Sequence, residues 1–336
     1  MIVRLRDLDG LDKLAFSPFG TPYLAVQLTD GDTARAEWLR ALPCPVLGIG
    51  SMDHQAAWFC DVVTATSSGL AGILANIEAA PIAAMTLVQV LRKAENLPAS
   101  EALHIESMAY ATLQGAAENR AWLAKRPPPL ETDQANGTTL VHRAGGILNI
   151  TLNRPAAMNA INLPLRDDLA EAFALAATDE SITGVHLFGA GRCFSIGGAM
   201  EDFGKSPDQA VAHAIRCSAG PAIRLAAIAA RTTAHVHGAC IGAGAELAAL
   251  CGKVVARPNT FFQLPEIRYG LIPGSGGTAA LSRRIGRQRA GYIMLSARRI
   301  GVRTALAWGL VDALDEDPAG QTLSSEHLPS ETGPKA

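Results

Sequence analysis

The spacing of apolar positions changes several times along this chain, and each change predicts a different element. In the front part, YLAVQL (23–28), PVLGIG (45–50) and DVVTAT (61–66) are short apolar runs bounded by turn residues, which reads as strands with helical segments between or after them. Over 69–98 and 100–126 the apolar residues recur every three or four positions, which predicts two or three amphipathic helices punctuated by Pro81 and by Asn96-Leu97-Pro98. Three successive prolines and a polar run ending in Asn-Gly then follow, so 127–137 is read as a linker. Beyond it, TLVHRAGGILNITLN (139–153) alternates about Gly145-Gly146 as a hairpin does. A helix is expected from Leu163 to Thr178, with Leu165, Leu169, Ala172, Phe173 and Ala176 on one stripe. TGVHLFGAG (183–191) and TTAHVHGACIGAG (232–244) each read as one strand ending in glycines. The chain from Asp315 to Ala336 is rich in Ser, Pro, Glu and Gly and is expected to be disordered.

Composition narrows the class. With 336 residues, 49% hydrophobic and 18% charged, the chain can bury a large core. A formal net charge of −2 and no Lys/Arg-rich run give no electrostatic footprint for nucleic acid or anionic lipid, so neither is expected as a partner. MIVRLRDLDG lacks the apolar stretch of a signal peptide, and no run of about 18 apolar residues reads as membrane-spanning, so a cytoplasmic location is expected. Six cysteines without a CxxC pair are expected to be reduced and mostly buried, with no structural metal.

The glycine turns are the candidate chemistry. GAGAEL (242–247) misses the dinucleotide fingerprint because Leu247 stands where a third small residue belongs, and no GxxxxGK phosphate loop occurs. PGSGG (273–277) has Pro273 in place of the first glycine of a nucleophile elbow, which makes Ser275 a turn residue. His235 and His237 would share one face of a strand, but no acidic or cysteine partner completes a metal set. What remains is glycine turns that expose backbone N–H groups able to hold an oxyanion, with the acids Glu246 and Glu266 following them. A carboxylate among small and apolar residues loses its hydration on burial, so Glu246 must find partners, become neutral or line a cavity. The residues alone leave open a blander role, Glu246 as a helix N-terminal carboxylate and Glu266 as a turn acid after Pro265.

The order of these motifs from about residue 138 to 314 resembles the crotonase superfamily, the enoyl-CoA hydratase and isomerase group. ITLNRPAAMNAIN (150–162) is similar to its opening strand and coenzyme A adenine-contacting turn, GAGRCFSIGGAM (189–200) to its first oxyanion loop, and HGACIGAGAEL (237–247) to its second. FFQLPEIRYGLIPGSGGT (261–278) resembles the segment that carries the other acid, and RRIGRQRAGYIMLSARRIGVRTALAWGLVDAL (283–314) completes the match. The resemblance implies an α/β spiral of ββα units. It implies Glu246 and Glu266 as catalytic acids, and Gly198 and Ala243 as oxyanion-hole N–H donors. It also implies acyl-CoA contacts at Met158, Asn159, Ala160, Arg192, Ala199, Met200 and Gly274. No cofactor is implied, since coenzyme A enters with the substrate, and a homotrimer or dimer of trimers is expected. Retention of both acids implies an enoyl-CoA hydratase. An enoyl-CoA isomerase is the alternative, and a non-catalytic acyl-CoA-binding or scaffold protein is another.

Three departures stand out. Ala199 occupies the place of an aspartate that usually follows the first donor residue, so this loop is expected to be less well anchored. Glu201 replaces a basic residue, which weakens phosphate contacts from the same loop. The helices that close the family's C-terminus are missing after GLVDAL, and residues 80–126 resemble them. Residues 1–126 are therefore expected to be a degenerate or rearranged crotonase-like α/β half, whose helices cap the core of this chain or of a neighbour.

Overall fold

The computed structural model describes residues 2–29, 33–126, 138–206 and 208–315. The expected linker at 127–137, and the expected disordered tail beyond Asp315, lie outside the described residues.

Strands β1 (Ile2–Arg4), β2 (Leu24–Gln27), β3 (Val46–Ile49) and β4 (Val62–Thr64) form one parallel sheet in chain order. All four residues of β3 are buried, as in a parallel sheet covered on both faces. Among the described residues, the connections between these strands contain only 3-10 turns such as Leu5–Gly10 and Gln55–Phe59, and the α-helices come after the strands. Those helices are α1 (Ala71–Ala79), α2 (Pro81–Ala94), α3 (Ala99–Gln114) and α4 (Ala117–Lys125). Pro81 opens α2, and the chain turns by 112° there. Ala80 has no side chain to cap that helix. Glu118 does so from α4, accepting from the N–H groups of Ile82 (2.8 Å) and Ala83 (3.0 Å). No single helix among the described residues is long and apolar enough to cross a membrane.

The second part begins with the hairpin of β5 (Thr138–Ala144) and β6 (Ile147–Asn153), turning at Gly145. Next come α5 (Leu163–Thr178), capped by the Asn162 side chain on the Leu165 N–H, then β7 (Gly184–Gly189), α6 (Gln209–Ser218) and α7 (Pro221–Ile228). The chain continues through β8 (Thr232–Val236), β9 (Ala239–Ile241), α8 (Ala243–Leu250), β10 (Lys253–Ala256) and β11 (Phe261–Gln263). It ends with α9 (Gly277–Ile285), α10 (Arg287–Ser296), β12 (Ile300–Gly301), α11 (Val302–Trp308) and β13 (Ala313–Leu314). The strands form a six-stranded sheet ordered β13-β10-β8-β7-β6-β5 and a three-stranded sheet ordered β12-β11-β9. The stretch 232–244, expected to be one strand, is therefore two. Gly238, at φ +57°, passes the chain from the large sheet to the small one. This break also separates the two histidines: His235 lies 2.8 Å from His186, and His237 bonds the Gly191 carbonyl.

The two parts share a core. Ala25, Leu47 and Val62 of the first sheet belong to the same buried apolar cluster as Leu87 and Leu91 of α2 and Ile293 and Met294 of α10. A buried ionic knot reinforces the seam. Asp61 accepts from the Arg92 Nε (2.8 Å), from Arg287 of α10 (3.1 Å) and from the Val46 N–H (2.8 Å). Arg92 also donates to the carbonyls of Leu42 and Cys44 and through Nη2 to Asp61, while Arg287 donates to the carbonyls of Cys60 and Trp58 and through Nε to Glu95 (3.4 Å). Every charge in the knot is thus paired and hydrogen-bonded, the condition under which burial is tolerated. Asp61→Ala leaves the buried Arg92 guanidinium without its anion and Arg287 with only Glu95 at 3.4 Å, and urea unfolding should show a loss of about 3–5 kcal/mol.

Candidate active site

The first donor loop and the second are zipped together by main-chain bonds. Ser195 N–H donates to the Ala239 carbonyl (3.1 Å) and Ile241 N–H to the Ser195 carbonyl (3.0 Å), which lays residues 193–198 beside β9. Gly197 closes the approach: a Cβ built on it would stand 2.8 Å from the Ile241 carbonyl oxygen and 3.3 Å from the Ala243 nitrogen. Gly242 has φ +49° and ψ −128°, a conformation that favours glycine, and this turn aims the first N–H of α8 away from the strand it leaves. Among the described residues, neither the Gly198 nor the Ala243 N–H has an acceptor. These two donors therefore lie side by side and free, which is what an oxyanion hole requires.

The turn supporting the first loop is built by Asn159. It and Met158 both adopt positive φ (53° and 52°). The fully buried Asn159 side chain accepts from the Arg154 N–H and donates to the carbonyls of Ala190, Cys193 and Phe194. That side chain is used up in holding the loop. Ala160 is buried and Met158 half-buried, while Arg192 and Met200 are exposed at the loop surface. The expectation of a poorly anchored loop is corrected. Ala199 N–H bonds the Ile161 carbonyl (2.9 Å), Glu201 pairs with Arg154 (2.8 Å), and Asp202 accepts from the Leu163 N–H (3.0 Å). Main chain and two neighbouring acids replace the anchor that Ala199 lacks.

Both expected acids are buried, Glu246 at 2% and Glu266 at 9% exposure. Glu246 sits in the first turn of α8, but its contacts are not those of a helix-end carboxylate. Its Oε2 accepts from the N–H groups of Ser275 (2.7 Å) and Gly277 (2.9 Å) at the start of α9. Glu266 opens a 3-10 turn (Glu266–Tyr269); a Cβ on Gly242 would lie 2.8 Å from its Oε1, which places the acid beside the Ala243 donor. Its Oε2 is buried and without a partner among the described residues. Burial pushes the Glu266 carboxyl up to about 8, with the nearby charge of Glu106 adding to it. Burial also raises Glu246 well above the ordinary carboxyl range, reinforced by the charges of Glu106 and Glu266.

Glu106 of α3 was not singled out from the sequence as a site residue, yet it is only 1% exposed and completes this cluster. It accepts from the Gly276 N–H (2.6 Å), the Thr278 N–H (2.7 Å) and the Thr278 hydroxyl (2.6 Å). Burial holds it up at about 7 against these donors. The signal was present in ALHIESMAYATL: Glu106 occupies a helical stripe with Leu103, Tyr110 and Leu113. Tyr110 lies against Gly274, a Cβ on which would approach its ring to 2.5 Å, and Arg216 of α6 covers the ring at 5.0 Å. Trp122 of α4 packs on Tyr269 (4.6 Å between centroids) and on Phe203 (5.8 Å), and Phe203 in turn lies beside Gly198. Asn119 donates to the Tyr269 carbonyl at 2.8 Å, and Arg126 to that of Met200. Helices α3 and α4 thus close over the donor loops and acids of their own chain.

With this geometry in place, the comparisons with known proteins are specific. The family model described as enoyl-CoA hydratase/isomerase matches residues 142–329. The chain is 39% identical over 184 residues to the 2,3-dehydroadipyl-CoA hydratase of Escherichia coli K12, covering 55% of this chain and 71% of that one. It is 31% identical over 198 residues to the 1,2-epoxyphenylacetyl-CoA isomerase of the same organism, covering 56% and 75%. Among solved structures, an enoyl-CoA hydratase/isomerase from Mycobacterium paratuberculosis superposes with a TM-score of 0.50 at 27% identity, over 55% of this chain and 75% of that one. This chain belongs to the enoyl-CoA hydratase/isomerase family, and its second part has the α/β crotonase fold.

The acids carry a cost that depends on pH. A carboxyl whose native value is raised above 4.5, as for Glu106 and Glu266, stabilises the fold fully below its unfolded value, and this is lost as pH rises through the native value. Urea unfolding free energy should therefore fall between about pH 5 and about pH 9. Glu266→Gln should flatten the upper part of that fall.

Proposed function

We propose that this protein is an enoyl-CoA hydratase. The observation carrying the reading is the pair of free N–H donors at Gly198 and Ala243, with two buried carboxyls of unlike hydrogen bonding beside them. Adding water across a C=C conjugated to a thioester requires a base for the water, an acid for the α-carbon, and donors for the charge that collects on the carbonyl oxygen. Glu246, held in place by two N–H groups, takes a proton from water as the water oxygen bonds to C3. Glu266, whose unpartnered Oε2 favours the protonated form, gives its proton to C2. The N–H groups of Gly198 and Ala243 stabilise the enolate-like oxygen while the C2–C3 double bond becomes single. Each such donor contributes about 3 kcal/mol in related chemistry.

The surroundings supply the rest of the reading. Phe203, Trp122 and Tyr269 form one wall for the acyl chain next to the donors, and Met158, Ala160, Arg192, Ala199, Met200 and Gly274 line the approach of the coenzyme A portion. Asn159 acts by holding the turn. Residues 1–126 serve as a rearranged crotonase-like half whose helices cap the core, the assembly is a homotrimer or dimer of trimers, and the protein works in the cytoplasm. Cleavage of the linker at 127–137 with retention of full activity in a freed core would remove the lid role. The hydratase relative that acts on 2,3-dehydroadipyl-CoA supports testing dicarboxylic as well as simple enoyl-CoA substrates.

Loss of the conjugated thioester absorbance across a panel of enoyl-CoAs tests the activity. Glu246→Gln should lower hydration by about 10²–10⁴-fold. A variant that keeps double-bond migration while losing hydration would identify the isomerase reading. Binding without any turnover in the wild type would point to a non-catalytic acyl-CoA binder.

A further inference from the structure

The start of α9 presents four successive main-chain N–H groups, and two carboxyls divide them alternately. Ser275 and Gly277 donate to Glu246, whereas Gly276 and Thr278 donate to Glu106, which also takes the Thr278 hydroxyl. The N-terminus of a helix favours negative charge, but it cannot hold two neighbouring buried anions at no cost. Hydrogen bonds to the charged form decide which acid ionises first. Glu106 engages both oxygens with three donors, Glu246 engages one oxygen with two, and Glu266 leaves Oε2 with none.

We propose that Glu106 is the first member of this three-carboxyl cluster to ionise, a positioning residue through which the upstream helices set the protonation of Glu246 and Glu266. The inference rests on the reading of those two as the reacting acids. The charged and titratable groups facing Glu106 come from several elements. Arg216 of α6 supplies a nearby positive charge, and His213 of the same helix bonds Ser107 next door. Tyr110 lies on the helix of Glu106 itself, Glu246 on α8 and Glu266 in its 3-10 turn. Of the other cations on packed helices, Arg92 of α2 is committed to Asp61, Arg224 of α7 to the Ala170 carbonyl, Arg283 of α9 to the carbonyls of Leu97 and Ala279, and Arg284 of α9 to Asp312 and the Ala249 carbonyl, while Lys93 of α2 is exposed. A negative charge at Glu106 disfavours ionisation of the other two acids, of which Glu246, with two N–H donors, ionises ahead of Glu266, whose Oε2 has none. The transferable proton thereby stays on Glu266.

The test is a pH titration of protein labelled with carboxyl-¹³C glutamate, followed by NMR, with the buried resonances assigned from the single variants Glu106→Gln, Glu246→Gln and Glu266→Gln. In the wild type, Glu106 should ionise before the other two. In Glu106→Gln, the Glu246 and Glu266 resonances should titrate about 1 pH unit lower. Both limbs of the kcat/KM profile should move to lower pH with them, whereas Glu106→Asp, which keeps the charge, should leave the limbs in place. A residue that merely braces the turn would lower kcat/KM without displacing either limb. Glu106 remaining neutral after the other acids have ionised, or unmoved titrations in Glu106→Gln, overturns the proposal. If Glu106→Gln fails to fold, the wild-type order of ionisation decides. Shifted resonances in a protein without hydratase activity would refute the hydratase reading and leave this inference standing.

Discussion

The sharing of one helix N-terminus by two carboxylates is the constraint on which the site depends. The N–H groups of residues 275–278 would otherwise be orphaned in a dry interior. Glu246 and Glu106 satisfy them, and in doing so fix the rotamer of the acid that faces the donor loops. The turn, Glu246 and helix α3 are therefore one unit, since displacing any of them leaves buried polar groups unpaired. A second polar joint, the Asp61 knot, ties the first sheet to α10 and so holds the upstream helices in register with α9.

The donor loops solve a different problem with the same economy. The N–H groups of Gly198 and Ala243 have no acceptor among the described residues, where most buried main-chain groups are paired. The pairing of residues 193–198 with β9 stops just short of them, and the positive φ of Gly197 and Gly242 turns both donors out of the ladder. Asn159 does the reciprocal work, using three donated bonds to keep the neighbouring loop from relaxing onto those N–H groups. Rigid support of this kind is what lets hydrogen-bond donors act without reorganising during reaction.

Much of this was legible in the sequence because the signals were local. The 145–146 hairpin and the stripe of α5 follow from alternation and from three-and-four spacing within a single element. The acids stood out because a carboxylate in an apolar run has few physical explanations. What could not be read was long-range pairing. Nothing near Ala199 announces that Arg154 and Leu163 will anchor its loop, and nothing near Ser275 says that its N–H answers Glu246. The break at Gly238 was hidden for another reason: both halves of 232–241 have strand character, and only their sheet membership differs. Glu106 carried the same signal as Glu246, an acid on an apolar stripe, but its partners lie 170 and 172 positions away.

That separation bears on how the molecule is made. A ribosome releases α3 long before the turn that will receive it exists, so the Glu106 carboxyl waits without its partners at residues 276 and 278 while much of the second part is translated. Closing such a distant contact is entropically slow. The docking of α9 beneath α3 therefore belongs to a late stage of folding, after the chain has been made through residue 285.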